Sequence, residues 1–383
     1  MLLPLLPNYK TGCLNNLVPL IFKSLGDDFR KDKGRDKDEM LLENSWLPRE
    51  VLEASQVVLL VLDGFGYNQF VGNIDLLPNL SEFSRSKIFS VVPTTTSTAL
   101  CSIATGATPF EHGIVGYRIR VGAKDIMNVL RWSKGPKDLR QVYAPESMQP
   151  ITPFDGKNIP VVNKQEFLGT GFTTAHLRDT RYVGTRVISS MAVEIKRLLL
   201  SGEKFIYTYY DGIDKIAHEY GFGSHYFAEL KFVDRLVGEV LSSLTPNAVL
   251  LVTADHGQVY VPDVAIDLGS DIMDKVNLLS GEGRFRWLHA KPGAFNDLLD
   301  TARDKFEKVA WVKSKLEMID ENLFGGSPSH EVADRLGDVA LVASDNVAFS
   351  DPFDVGELKL MCRHGSLTED EMVVPLLCSK FEN

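Results

Sequence analysis

The stretch Val91–Tyr117, VVPTTTSTALCSIATGATPFEHGIVGY, decides how this chain is read. An apolar run over Ile88–Val92 ends at Pro93 and opens into a hydroxyl cluster, Thr94, Thr95, Thr96, Ser97 and Thr98. Small, helix-compatible residues follow as far as Gly106. The pattern predicts strand, turn and helix, with hydroxyls beside the free N–H groups of a helix start. A hydroxyl held there can attack phosphorus while the helix N-terminus favours the anion. Ser and Thr are also ordinary helix N-caps, so in isolation the cluster reads first as capping.

Working outward, other strand ends carry ligand-type side chains. Val57–Leu62 is a continuous aliphatic run, the pattern of a strand buried on both faces of a parallel sheet, and it ends in Asp63-Gly64-Phe65-Gly66. An aspartate there sits where open α/β sheets bind ligands; a turn Asp is the plain alternative. Phe205–Tyr210 is the next such strand. Beyond it Asp214 and His218 stand four apart, on one face of a helical turn, where they can share a cation. The same spacing also arises by chance on exposed helices. Ala248–Thr253 runs directly into Asp255-His256-Gly257, and His364-Gly365 precedes a closing strand, Met372–Leu377.

In a parallel sheet the carboxyl ends open on one edge, so these distant residues can converge. Three Asp and three His make two mixed nitrogen/oxygen sites suited to zinc and other borderline divalent metals. Cysteine ligands are lacking, which argues against a structural zinc. With that constellation in view, capping becomes the minor reading of the hydroxyl cluster.

The remaining sequence sets bounds. A chain of 383 residues with 44% apolar and 24% charged residues can bury a large core. Its net charge of −10 excludes a nucleic-acid-coating surface but not a small anionic substrate, because bound cations reverse the sign inside one pocket. The four cysteines, Cys13, Cys101, Cys362 and Cys378, have no CxxC spacing and read as free thiols in a reducing compartment. MLLPLLPNYK is a poor signal peptide and no run reaches transmembrane length, so a cytoplasmic protein without a membrane span is expected.

Residues 12–25 read as a short amphipathic segment burying Leu14, Leu17, Ile21, Phe22 and Leu25, and Asp27–Glu39 as a charged solvated loop. Helices are expected over Val187–Leu200, with Met191, Val193, Ile195, Leu198 and Leu199 on its apolar face, and over Tyr226–Leu244. Later elements are Val259–Val261, Phe285–His289, a helix over Ala294–Lys308, Val309–Val312 and Gly337–Ala343. His176, Arg178 and Arg181 read as surface groups with substrate contact as the alternative. The expected organisation is a single catalytic domain over 1–383, with an N-terminal extension over 1–50. A smaller substrate-shaping insertion is expected at about 258–340 or within 118–204.

Taken together, the motifs resemble those of the alkaline phosphatase superfamily, and most closely its type I phosphodiesterase/nucleotide pyrophosphatase branch. The resemblance rests on Pro93, Thr96, Thr105-Gly106, Pro109 and His112-Gly113-Ile114, then Asp214 with His218, Asp255-His256-Gly257 and His364-Gly365, in order over roughly residues 56–377. It implies a three-layer α/β/α core with a mostly parallel central sheet. It also implies Thr96 as nucleophile, one divalent ion on Asp63, Asp255 and His256 beside Thr96, and a second on Asp214, His218 and His364.

Two Zn2+ ions, a phosphothreonine intermediate and retention at phosphorus follow from the same resemblance. The substrate it implies is a small phosphate ester, a phosphodiester or nucleotide pyrophosphate. His112 falls on a structural segment. Two departures stand out. Tyr117 occupies the place of a substrate-binding Asn, and Thr98-Ala99 replaces the usual Pro-Asn. A phosphomonoesterase or phosphomutase on the same scaffold is the alternative activity, and a noncatalytic metal-binding interaction protein the alternative of another class. A sulfatase would need an oxidised Cys or Ser at the nucleophile position, and Cys101 lies five residues past it.

Overall fold

The computed structural model describes residues 3–29, 45–262, 265–354 and 360–380. Aliphatic runs too continuous for a half-solvated sheet build its centre. The main sheet contains β1 (Gln56–Leu62), β2 (Ser84–Phe89), β3 (Pro160–Lys164), β4 (Arg181–Thr185), β5 (Phe205–Tyr210), β6 (Ala248–Thr253) and β7 (Val373–Lys380). They lie in the order β2-β7-β6-β1-β5-β3-β4. Strands β1 and β6 sit at its middle, and every residue from Val57 to Leu62 and from Ala248 to Thr253 is buried.

β1 pairs in parallel with both β6 and β5, and β3 with both β5 and β4. β7 runs antiparallel to β6 and to β2, which makes β2 parallel to the rest. One sheet edge therefore collects the carboxyl ends of β1, β2, β5 and β6 together with the amino end of β7. Asp63, the Thr cluster, Asp214, Asp255-His256 and His364 all attach at that edge.

Helices divide into two packed sets. Thr96–Thr105 contacts both Leu14–Ser24 and Gly171–Leu177, and Ser224–Leu241 contacts Pro78–Ser81, Ile188–Leu200 and Gly212–Tyr220. This is the α/β/α layering expected of a sheet buried on both faces. Beside it stand a two-stranded antiparallel pair, Val259–Tyr260 with Cys362–Arg363, and two four-stranded antiparallel sheets. One is a meander of Arg118–Val121, Asp125–Asn128, Ser133–Lys134 and Lys137–Asp138. The other comprises Val276–Glu282, Phe285–Ala290, Ala310–Ser314 and Val339–Ala343. It carries its own apolar cluster of Leu279, Leu288, Leu298, Phe306, Leu341 and Phe349.

Several expectations need correction. The strand predicted over Ile88–Val92 ends at Phe89: Ser90 N–H still reaches Met372 O at 2.8 Å, but Met372 closes the short helix Glu369–Met372, which offers no further strand to pair with. The helix Leu14–Ser24 is buried on every side rather than amphipathic, since it lies against the Thr96–Thr105 helix. Asn15 and Asn16 each donate Nδ2 to Tyr9 O, at 3.2 and 3.1 Å, and Leu25 is only half-buried. Val193 is 65% exposed. Met191, Ile195, Leu198 and Leu199 share one helical face, whereas a residue two positions from Met191 points away from it. The charged segment expected over Asp27–Glu39 lies outside the described residues from position 30 onward.

Candidate active site

The hydroxyl cluster decides between capping and chemistry. The helix Thr96–Thr105 begins after Thr95 without any side-chain cap and ends at Gly106, whose φ of 67° takes the left-handed turn that glycine makes without strain. Thr94 Oγ1 donates to Ser366 O at 2.7 Å, and Ser97 Oγ to Gly116 O at 3.0 Å. Thr96 Oγ1 faces elsewhere: 3.2 Å from His256 Nε2 and 3.5 Å from Asp63 Oδ1. One hydroxyl of the cluster thus enters the group of acids and imidazoles.

Asp63, Asp255 and His256 offer ligand atoms within 4.8 Å of one another, and so do Asp214, His256 and His364. His256 belongs to both groups. His218 joins the second through Asp214, with Nε2 3.2 Å from Asp214 Oδ2. The rings of His256 and His364 stack at 3.8 Å. Each histidine anchors Nδ1 on a backbone carbonyl: His256 on Gly257, His218 on Cys362 and His364 on Thr94, at 3.0, 2.6 and 2.9 Å. That anchoring assigns the proton to Nδ1 and turns the Nε2 lone pairs inward.

The electrostatics fit bound cations. Asp63, Asp214 and Asp255 are 3%, 8% and 0% exposed, and no Lys or Arg pairs with them among the described residues. Asp214 Oδ1 and Asp255 Oδ2 are buried without hydrogen-bond partners, a costly arrangement unless an ion takes those lone pairs. Burial and the neighbouring carboxylates Asp255 and Asp214 push Asp63 well above the usual range, and burial raises Asp255. Burial also raises Asp214, but His218 outweighs it and leaves this carboxyl low. Burial and His256 hold His364 neutral, as a metal ligand must be.

Sequence reasoning missed the groups that hold these side chains. Tyr209 on β5 donates its hydroxyl to Asp63 Oδ2. Ser90 Oγ donates to Asp255 O at 2.5 Å. Glu371 accepts from Ser366 N at 2.9 Å, and its carbonyl takes Gly257 N at 2.9 Å. An aromatic inside a buried strand, or a Glu in an acidic run, gives no local sign of such a role.

Other candidates have their shown hydrogen-bond or ion-pair partners outside this group. Tyr117 accepts from Asn128 Nδ2 at 2.6 Å and lines a neighbouring cavity. His112 is fully buried between Ser102 Oγ and Ile114 N, its pKa lowered to about 3 by burial and Arg335. His176, read as a surface group, is 3% exposed and bonds Phe172 O, because its helix packs against Thr96–Thr105. Arg178 clamps Ala175 O and Ile151 O, and Arg181 pairs with Glu203. Cys101 is buried in the Thr96–Thr105 helix, where burial pushes its thiol up and away from nucleophilic use.

Fold and site together define a protein of the alkaline phosphatase superfamily. The family model for type I phosphodiesterase/nucleotide pyrophosphatase matches residues 57–366, and the chain belongs to that family. It is accordingly a phosphoester hydrolase of the phosphodiesterase/pyrophosphatase type. Among solved structures, murine ectonucleotide pyrophosphatase/phosphodiesterase 5, as an inactive threonine-to-alanine variant with AMP, is similar. Its TM-score is 0.63 at 14% identity, over 84% of this chain and 87% of that one. The human counterpart gives 0.60 at 15% identity over the same shares. Phosphonoacetate hydrolase from Sinorhizobium meliloti 1021, with phosphonoformate, gives 0.61 at 20% identity over 85% of this chain and 90% of that one. No curated protein matches the sequence. No helix among the described residues is long and apolar enough to cross a membrane.

Proposed function

We propose that the chain cleaves a phosphodiester or nucleotide pyrophosphate bond through a phosphothreonine formed on Thr96, with two divalent ions, Zn2+ by donor set, as resident cofactors. The carrying observation is that Thr96 alone of its cluster presents its hydroxyl to the carboxylate–imidazole group. Asp63, Asp255 and His256 would hold one ion, and Asp214, His218 and His364 the other. When bound, such ions supply Lewis acidity that eases ionisation of a hydroxyl and offsets charge on phosphoryl oxygens.

The residues of the chain do the positioning. The first N–H groups of the Thr96–Thr105 helix favour an anion beside Oγ1. Thr96 gives its hydroxyl proton to solvent as the Oγ1–P bond forms and the bond to the leaving oxygen breaks, and that oxygen takes a proton from solvent. Water then displaces Oγ1 from phosphorus, and Thr96 recovers its proton. Two inversions give net retention.

The similar murine protein is inactive as a threonine-to-alanine variant and was captured with AMP, which supports both the nucleophile and a nucleotide-type substrate. The four cysteines are buried and form no disulfide among the described residues, in keeping with a reducing, cytoplasmic setting. The test is Thr96→Ala in zinc-loaded protein with bis-p-nitrophenyl phosphate: turnover is expected to fall at least a thousandfold. Unchanged turnover ends the mechanism, and a clear preference for p-nitrophenyl phosphate ends the diesterase reading.

A further inference from the structure

Between the meander and the edge strand Val276–Glu282 lies a cavity of about 420 Å³. Both of its walls lead to the cluster just described. On one, Tyr117 follows Gly116, whose carbonyl takes the hydroxyl of Ser97, the neighbour of Thr96. On the other, Asn277, Leu278 and Leu279 belong to the strand that ends at Glu282, whose carboxylate is 3.5 Å from His364 Nδ1. At the rise of an extended strand, Leu279 is roughly 10 Å along the chain from Glu282. That is the reach of a group attached to phosphorus, beyond the phosphoryl centre itself.

The lining runs against the charge of the whole molecule. In a chain of net charge −10 it gathers Arg118, Lys124, Arg131 and Lys134 around a single acid, Asp354. Arg118 pairs with Asp351 and Asp354, and Lys134 with Asp125 at 2.5 Å. Lys124 and Arg131 have no carboxylate partner among the described residues. The apolar share comes from Ile126, Leu278 and Phe353, the last 75% exposed. Apolar surface with two uncommitted cations suits a flat or chain-like body that ends in an anion.

We propose that this cavity seats the leaving group and selects one carrying its own negative group, a carboxylate or a further phosphate, recognised by Lys124 and Arg131. The proposal rests on the phosphoester-hydrolase reading and names the substrate class for it. The cations stand at a wet surface, so their effect is modest and salt-dependent, roughly tenfold in affinity at low salt.

Binding to zinc-loaded Thr96→Ala protein, measured by titration calorimetry, tests this without turnover. Bis-p-nitrophenyl phosphate is compared with its ring-carboxylated analogue, and AMP with ADP as the phosphate arm. The more anionic member of at least one pair should bind about tenfold tighter. Lys124→Gln with Arg131→Gln should bring that ratio close to one, and both residues are exposed, so folding is not at stake. Equal affinities within both pairs overturn the proposal. So does a preference that survives the double replacement, as added binding at the metal centre would produce. Failure of the parent protein to hydrolyse diesters would instead strike the catalytic reading and leave this measurement standing.

Discussion

Replacing Arg284 by Met should cost a large part of the stability of the fold. Arg284 sits in the hairpin between Val276–Glu282 and Phe285–Ala290 and is fully buried against an equally buried Glu371. The pair is bidentate, with Nε to Oε1 and an Nη to Oε2 both at 2.8 Å. Arg284 also donates to Asp345 O and Val347 O at 2.8 Å, while Glu371 accepts from Ser366 N at 2.9 Å. One ion pair therefore ties the smaller sheet to the loops carrying His256 and His364.

At 2.8 Å and an effective dielectric near 20 the Coulomb attraction is roughly 6 kcal/mol, before desolvation is subtracted. Removing one partner strands the other charge, and the expected cost is about 3–5 kcal/mol. Against a total stability of roughly 5–15 kcal/mol, that brings the domain near its threshold. Removing both charges, as Arg284→Met with Glu371→Leu, relieves the stranded ion and should recover about 2 kcal/mol relative to the sum of the singles. Urea unfolding of the two singles and the double gives the cycle directly. The reasoning is refuted if Arg284→Met costs under about 1 kcal/mol, or if the two costs add within about 0.5 kcal/mol.

Three further outcomes follow from the same geometry. A methyl group at Gly257 would stand 1.9 Å from Asp370 O and 2.9 Å from Gly66 Cα, so Gly257→Ala must displace the backbone beside His256. Zinc affinity by competition with a chelating dye should drop at least tenfold, and an unchanged value would contradict the assignment. Chelation of the zinc-loaded protein should lower its melting temperature by several degrees, because the buried carboxylates lose their counter-charge. Ligand present at a thousand times its Kd accounts for about 4 kcal/mol, and an unmoved calorimetric transition would count against any metal at this site.

The third concerns acid. Burial lowers His112 and His289 to about 3 and His176 to about 4, below the unfolded value near 6.5. Between those limits the unfolded chain binds more protons, so stability is complete above about pH 6.5 and falls as pH drops. Each group contributes a slope of about 1.4 kcal/mol per pH unit. His112→Gln should flatten the stability-versus-pH curve between pH 4 and 6 by about one proton's worth, and an unaltered slope would show that His112 is not held neutral.

The parts of this protein legible in its sequence are those where one local pattern forces one environment. Val57–Leu62 and Ala248–Thr253 are apolar at every position because both faces of their strands are covered, so the acids that follow them, Asp63 and Asp255, stand out as strand ends. Strand direction leaves no such trace. Nothing in Val373–Lys380 distinguishes an antiparallel strand from a parallel one, yet that reversal puts the preceding His364 at the sheet edge that gathers the other candidate ligands.

The supporting groups are hidden for a further reason: their chemistry depends on a partner far away in the chain. Tyr209 reads as core until Asp63 is beside it, and Glu371, in the run Glu369-Asp370-Glu371, reads as solvated surface until Arg284 is found 87 positions away. Such residues are recognised by a buried charge that must be matched, a condition written in three dimensions. The candidate metal ligands escape this because their ligand types recur at strand ends, where the topology itself makes them neighbours.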